Sequence, residues 1–337
     1  MNAKSRTVLG LDIGGANIKA ATAAQRAVSV AFPLWKQPDA LPAALASLVS
    51  QFPGIDEFAV TMTGELCDCY ATKREGVNRI LDAVEFAAAG RPVRAWGTGG
   101  NWLSVAEARV RTLEVAASNW HALATFAAFV VAGTVSKGDA LLIDIGSTTT
   151  DLIRLKNGRP VIRGRTDFER LRTGELLYLG VKRTPIMALG MPNVCAEYFA
   201  DTRDMNIVLD FIAEEPEATD TADGRPATWK YSLARMARML GGDTETLSEG
   251  EIRGFSRDCF RHLRGRLSEA IRASLLDVET TEEGADPPTL FISGSGEWIA
   301  LKSRRAAVTE FNDYCLSEAV SPEISACAAA YAVAVLA

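Results

Sequence analysis

This 337-residue chain predicts an α/β protein of two similar lobes with a phosphate-binding cleft between them. Two observations point there. One phrase occurs twice, as Val8-Leu9-Gly10-Leu11-Asp12-Ile13-Gly14-Gly15-Ala16-Asn17 and as Leu141-Leu142-Ile143-Asp144-Ile145-Gly146-Ser147-Thr148-Thr149-Thr150. Each copy is a short apolar strand ending in Asp-Ile-Gly, followed by small or hydroxylated residues. Each copy then continues alike. The second runs through residues 151–155, the turn Asn157-Gly158 and residues 160–163; the first runs through 18–23, a polar break at Gln25-Arg26 and 28–32. Asn-Gly between two alternating runs is a strong hairpin signal. Neither copy carries the G-x-G-x-x-G that a dinucleotide-binding unit runs straight into a helix.

Strand, glycine turn, strand, tight turn, strand is an opening that resembles the ribonuclease-H-like lobes of the actin, sugar kinase and Hsp70 superfamily. The first lobe is expected over residues 1–136. After its opening strands, 41–52 reads as a helix and 57–63 as a buried strand. A polar connection follows over 64–76, then a helix over 77–89 and a strand over 92–96 ending in Gly97-Thr98-Gly99-Gly100. Residues 105–116 and 120–135 read as helices, the first amphipathic and the second largely buried. Lys137-Gly138-Asp139 marks a hinge into a second lobe over 137–320. Its three opening strands end near Gly164. The acidic stretches 214–223 and 277–286 read as exposed loops, and 228–240 and 249–276 as helices. Residues 290–292 form a late strand that runs into Ser293-Gly294-Ser295-Gly296 and a short helix. A closing helix over 323–336, within a tail spanning 321–337, is expected to pack back on the first lobe.

Composition narrows the function. Hydrophobic content is 48%, ordinary for a globular protein, and the net charge of −6 disfavours general nucleic-acid binding. The most basic stretch, with Arg253, Arg257, Arg261, Arg264, Arg266 and Arg272, fits one solvated side of a long helix. No signal peptide is visible, and residues 122–135 are too short and alanine-rich to span a bilayer, so a cytoplasmic protein without membrane partners is expected. Six cysteines do not make a secreted disulfide framework; Cys67 and Cys69 form a C-x-C pair without an obvious second pair. With only His121 and His262 available, H-E-x-x-H zinc chemistry is excluded. Catalysis is left to carboxylates, Lys, Arg and a metal.

The duplicated loops suit a polyphosphate with Mg²⁺. Glycines let backbone N–H groups approach phosphate oxygens, and hydroxyls add donors. Asp12 and Asp144 are the metal candidates. Gly14, Gly15, Asn17, Gly146, Ser147, Thr148, Thr149 and Thr150 are the phosphate candidates, with Lys19 as a point charge.

The phrases Gly-Leu-Asp-Ile-Gly-Gly, Ile-Asp-Ile-Gly-Ser-Thr-Thr-Thr-Asp and Arg172-Thr173-Gly174-Glu175-Leu176, with the sequel Gly180-Val181 and Arg183-Thr184-Pro185, resemble the hydantoinase A/oxoprolinase family over nearly the whole chain. That family's first loop carries Gly-Gly-Thr-x-Thr-Asp. Here Gly14-Gly15-Ala16-Asn17-Ile18-Lys19 stands instead, a departure that points away from hydantoin or oxoproline hydrolysis. Gly-Gly-Ala-Asn-Ile-Lys, Thr61-Met62-Thr63-Gly64-Glu65-Leu66, Ala117-Ser118-Asn119-Trp120-His121-Ala122 and Thr221-Ala222-Asp223-Gly224-Arg225 look closer to a compact branch linked with methanofuran and tetrahydromethanopterin one-carbon metabolism. What this resemblance implies is a transferase. It would join an aminomethylfuran-methyl diphosphate to the phenol oxygen of a γ-glutamyltyramine-like acceptor and release pyrophosphate.

Under that reading the two loops and Mg²⁺ stabilise the leaving diphosphate. Glu65 and Asp68, just after a buried strand, are the base candidates for a phenol of reference pKa ~10, with Lys19 beside the phosphate as a third catalytic group. Asn119 and His121, at a helix start, and Arg172, Thr173 and Glu175, beside the second loop, are substrate candidates. Capping by Ser118 or Asn119 and a structural turn are the alternatives there. Gly294 and Gly296 follow the late strand where the superfamily receives adenosine; in a diphosphate-using enzyme that place is either vacant or holds another substrate part, with a plain helix-entry turn as the alternative. ATP is not required in this reading, and self-association is left open. The rival functions are an ATP-dependent small-molecule kinase or amide hydrolase, and a nucleotide-switched binding protein.

Overall fold

The computed structural model describes residues 6–134, 140–276, 287–307 and 310–337. The expected hinge at Lys137-Gly138-Asp139 and the acidic stretch 277–286 lie outside the described residues. The first lobe runs β1 (Val8–Ile13), β2 (Asn17–Thr22), β3 (Ala27–Ala31), α1 (Leu41–Ser50), β4 (Glu57–Met62), α2 (Lys73–Ala88), β5 (Val93–Trp96), β6 (Trp102–Ser104), α3 (Val105–Val110) and α4 (Thr112–Val115), followed by α5 (Asn119–Thr134). Then come β7 (Ala140–Ile145), β8 (Thr150–Lys156), β9 (Arg159–Val161), α6 (Asp167–Thr173), β10 (Leu176–Leu177), α7 (Thr202–Val208), α8 (Trp229–Met239) and α9 (Glu249–Leu276). The chain closes with β11 (Thr289–Ser293), α10 (Glu297–Ala307), β12 (Asn312–Cys315), α11 (Leu316–Ala319), α12 (Pro322–Ala326) and α13 (Ala328–Leu336).

The two sheets repeat one plan. The first has the order β3-β2-β1-β4-β5-β6, and the second β10-β8-β7-β11-β12 with β9 paired to β8. In each, the leading strand pairs antiparallel with the next strand on one side and parallel with a later strand on the other. Such strands are covered on both faces, which is why β1 and β7 read as continuous apolar runs.

Three differences from the sequence reading have local causes. Helix α2 begins at Lys73, ahead of its apolar periodicity, because the Thr72 hydroxyl caps Glu75 N–H and the Glu75 carboxylate accepts from Ala71 N–H. The expected helix over 105–116 splits at Arg111, whose φ of −104° and ψ of 45° leave the helical region. The closing helix breaks likewise at Cys327. The short strand β6 has no counterpart in the sequence reading.

Helices α5 and α13 pack against each other between the sheets. Trp120, Leu123, Phe126 and Ala127 of α5 join Leu142, Ile153, Phe291 and Tyr331 in one buried cluster. Helix α13 lies on the first sheet so closely that a Cβ on Gly10 would overlap the Ala330 carbonyl oxygen.

The arginine face of α9 is more committed than a solvated stripe. Arg253 reaches Asp210 at 2.8 Å, Arg266 donates to the Ala188 carbonyl at 3.2 Å and Arg272 to the Ala306 carbonyl at 2.7 Å. The acidic stretch 214–223 is also pinned. Arg203 holds Asp220, and Arg235, fully buried, holds Asp204 and Asp223. No helix among the described residues is long and apolar enough to cross a membrane.

Candidate active site

The two copies of the repeated phrase end facing one cavity of about 380 Å³, with walls from both lobes. The loops make the same turn. Gly14 N–H donates to the Asn17 carbonyl at 3.0 Å, and Gly146 N–H to the Thr149 carbonyl at 2.9 Å. Strand register then sets the charges. Asp12 stands across from Lys19 in the first hairpin, and Asp144 across from Asp151 in the second. All four side chains line the cavity, as do Gly14, Gly15, Asn17, Gly146, Ser147, Thr148 and Thr149.

These carboxylates are held with little compensation. Burial raises the Asp12 pKa against the opposing charge of Lys19, and its Oδ1 is buried with no hydrogen-bond partner. Asp144 is pushed up to about 7 by burial and the neighbouring charge of Asp151, although Ser293 Oγ donates to it at 2.6 Å. Burial also raises Asp151, against its ion pair with Arg170. An orphaned acceptor among hard oxygen donors fits Mg²⁺. Among the described residues no three acidic, His or Cys groups converge on one point.

Gly294 also lines the cavity, with φ +91°, in a position where a Cβ would overlap the Ile145 carbonyl oxygen. Its N–H donates to Ser325 Oγ at 3.0 Å. Gly296 is not part of the lining; its N–H donates to the Ile145 carbonyl at 2.9 Å and it packs on Ile145 and Val181. Thr150 is likewise turned away, its hydroxyl donating to the Leu179 carbonyl at 2.6 Å.

Asp68 and Asn119 line the cavity, the latter from the start of α5. Glu65 lies behind the wall, 1% exposed. Neither of its oxygens has a well-formed hydrogen bond, and Lys73 Nζ stands 3.9 Å away. Burial pushes its pKa up to about 7, against the backbone N–H groups of Glu65 and Ala117 and the charge of Lys73.

His121 is outside the lining. Its Nδ1 accepts from Trp96 Nε1 at 3.1 Å, and burial with the charges of Arg165 and Arg170 lowers its pKa to about 4, so it is a neutral packing group. The segment Arg172-Thr173-Gly174-Glu175 makes a turn rather than a wall. Glu175, 2% exposed, accepts from Arg163 and Gly164 N–H at 2.8 Å each and from the Thr173 hydroxyl at 2.6 Å. Arg172 is exposed over the Phe168 ring. It is Arg170, two residues ahead of this segment, that reaches the cavity, its guanidinium over the Trp120 ring, 4.1 Å from the centroid, and paired to Asp151.

Sequence reading missed Asp151, Asp167, Arg170, Trp35, Cys67, Tyr178 and Arg183 among the lining residues. Asp151 had a signal, since it follows Asp144 at the spacing by which Lys19 follows Asp12. Arg183 and Cys67 stood in phrases the sequence singled out without a site role, and Asp167, Arg170, Trp35 and Tyr178 come together through long-range packing.

Residues 56–194 match the Hydantoinase/oxoprolinase family. The chain is 35% identical over 340 residues to the (4-{4-[2-(gamma-L-glutamylamino)ethyl]phenoxymethyl}furan-2-yl)methanamine synthase of Methanocaldococcus jannaschii, an alignment covering 98% of this chain and 97% of that protein. It is 34% identical over 209 residues to the synthase of the same name from Methanococcus vannielii, covering 59% of this chain and 90% of that one. Among solved structures, a nucleotide-free acetone carboxylase aligns with a TM-score of 0.49 and 11% identity, covering 87% of this chain and 49% of that chain. An archaeal actin homolog in complex with ADP aligns with a TM-score of 0.45 and 14% identity over 97% of each chain.

Proposed function

The chain belongs to the family of these furan-2-yl methanamine synthases, and from that premise we propose that it is a transferase of methanofuran-type cofactor biosynthesis. It joins an aminomethylfuran-methyl diphosphate to the phenol oxygen of a γ-glutamyltyramine-like acceptor. The bond formed runs from the phenol oxygen to the furan-methyl carbon. The bond broken joins that carbon to the diphosphate, which leaves with the electron pair as pyrophosphate, while the phenol proton passes to a base.

The observation that carries this reading is the pair of matching glycine loops facing one cavity, with Asp12, Lys19, Asp144 and Asp151 between them. The loops and Lys19 hold the diphosphate and disperse the charge that grows on it as it leaves. Asp12 and Asp144 would hold Mg²⁺, which supplies further charge neutralisation to the leaving group. Asp68 opens onto the cavity and takes the phenol proton there. Glu65, raised to about 7 by burial, lies behind the wall, and geometry decides first.

The test is incubation with the synthetic furan diphosphate, Mg²⁺ and γ-glutamyltyramine, reading ether product by mass spectrometry and pyrophosphate by release assay. Equal yields of ether and pyrophosphate are expected. ATP consumption with no use of the organic diphosphate would overturn the reading in favour of an ATP-dependent kinase or amide hydrolase.

A further inference from the structure

Among the described residues, three cations line the cavity, and two are engaged with its acids. Lys19 faces Asp12 and carries its charge to Asp144, and Arg170 is paired to Asp151. Arg183 differs. Its backbone N–H donates to the Ser147 carbonyl at 2.9 Å, which ties it to the second glycine loop. Its guanidinium lies over the Trp35 ring of the first lobe, 4.3 Å from the centroid. Among the described residues no carboxylate is ion-paired with it. Asp220 is near enough to feel its charge, yet that carboxylate is bonded to Arg203 at 2.8 Å. A cation held over an aromatic ring is attracted by its charge, so the contact itself uses none of the guanidinium's five N–H donors. Leu66 and Tyr178, each about half exposed, add apolar surface to the same cavity.

An aromatic face, apolar neighbours and a guanidinium with a free edge suit one kind of ligand: an aryl compound with a carboxylate at its far end. We propose that Trp35 and Arg183 form the acceptor subsite, with the indole against the acceptor's aryl ring and the Arg183 fork on the α-carboxylate of its γ-glutamyl group. This rests on the transferase reading above. Because the indole comes from one lobe and the guanidinium from the other, a bound acceptor would touch both lobes. The rival anion is the diphosphate itself, since Arg183 adjoins the Ser147 loop.

The experiment is calorimetric binding to the full chain with Mg²⁺ and pyrophosphate present. The two probes are γ-glutamyltyramine and 4-aminobutyryl-tyramine, which differ only by the α-carboxylate. The wild type is expected to prefer the first by about tenfold or more, the worth of a charge-assisted hydrogen bond. Arg183→Gln should erase that preference and leave pyrophosphate affinity unchanged, and Trp35→Ala should weaken both probes alike. The subsite is overturned if the wild type does not discriminate, if Arg183→Gln still does, or if Arg183→Gln loses pyrophosphate affinity, which makes the guanidinium a phosphate ligand. Turnover on the same preparation separates the two ideas: a protein that binds the acceptor with this preference and forms no ether overturns the transferase and leaves the subsite standing.

Discussion

Glu65 shows how a single residue's environment can be read as a pH dependence. Its carboxyl is raised from 4.5 to about 7 by burial, with its oxygens lacking well-formed hydrogen bonds. The folded state therefore holds the proton more tightly than the unfolded chain. Its favourable contribution is complete below the unfolded pKa and is lost as pH rises through about 7. Glu65→Gln removes the titration. Thermal melts of the two proteins should be similar at pH 4, and at pH 8 the variant should be the more stable by up to about 3 kcal/mol. Parallel melting curves across that range would show that the carboxyl is solvated or paired in solution. The sequence marked Glu65 by its place after a buried strand, but could not tell that it lies behind the wall while Asp68 lies in it. That distinction depends on Gly76 of α2, which packs against the Glu65 backbone, and such a contact leaves no local pattern. His121, expected beside the substrate, lies outside the lining for a similar reason: its partner Trp96 reaches it from β5, far off in the chain.

Elements were legible where the chain's own periodicity decides them. The strands β1, β4 and β7 and the long helix α9 were found at or within a residue of their ends because their burial is continuous or their amphipathic stripe is long. Caps and breaks were less legible. The start of α2 is set by Thr72 and Glu75, not by its apolar face, and the break at Cys327 occurs inside a run of uniformly apolar residues. Gly10 is a sharper case. In the sequence it is one more small residue in a strand; in the fold it is the place where β1 meets the Ala330 carbonyl of α13. Gly10→Val forces the closing helix off the sheet and should cost about 3 kcal/mol, or prevent folding altogether. Gly133→Ala in α5 is the matched control, because a Cβ there meets nothing within 4 Å. It should gain up to about 1 kcal/mol from helix propensity. Denaturant midpoints for the two variants check the pair, and a harmless Gly10→Val would mean that α13 does not lie on β1.

At the scale of the whole molecule, the two copies of the duplicated phrase bring residues of both lobes to one cavity, and the site proposed there draws on both. Asp12 and Lys19 come from one hairpin, Asp144 and Asp151 from the other, and the packed helices α5 and α13 join the two sheets. A ligand held by both halves must stabilise both lobes together. At a hundredfold excess over its dissociation constant, Mg²⁺-pyrophosphate should add about 2.7 kcal/mol to unfolding and raise a single transition. Asp12→Asn and Asp144→Asn should each abolish that increment and turnover. Without ligand the same variants should melt at or above the wild-type temperature, since each removes a buried charge that burial disfavours. The opposite signs separate a functional site from a structural one. If these carboxylates served the fold, both variants would melt lower with or without Mg²⁺-pyrophosphate. If they serve a bound cation, the loss is confined to the liganded protein. A calorimetric scan of three proteins, each with and without Mg²⁺-pyrophosphate, distinguishes the two.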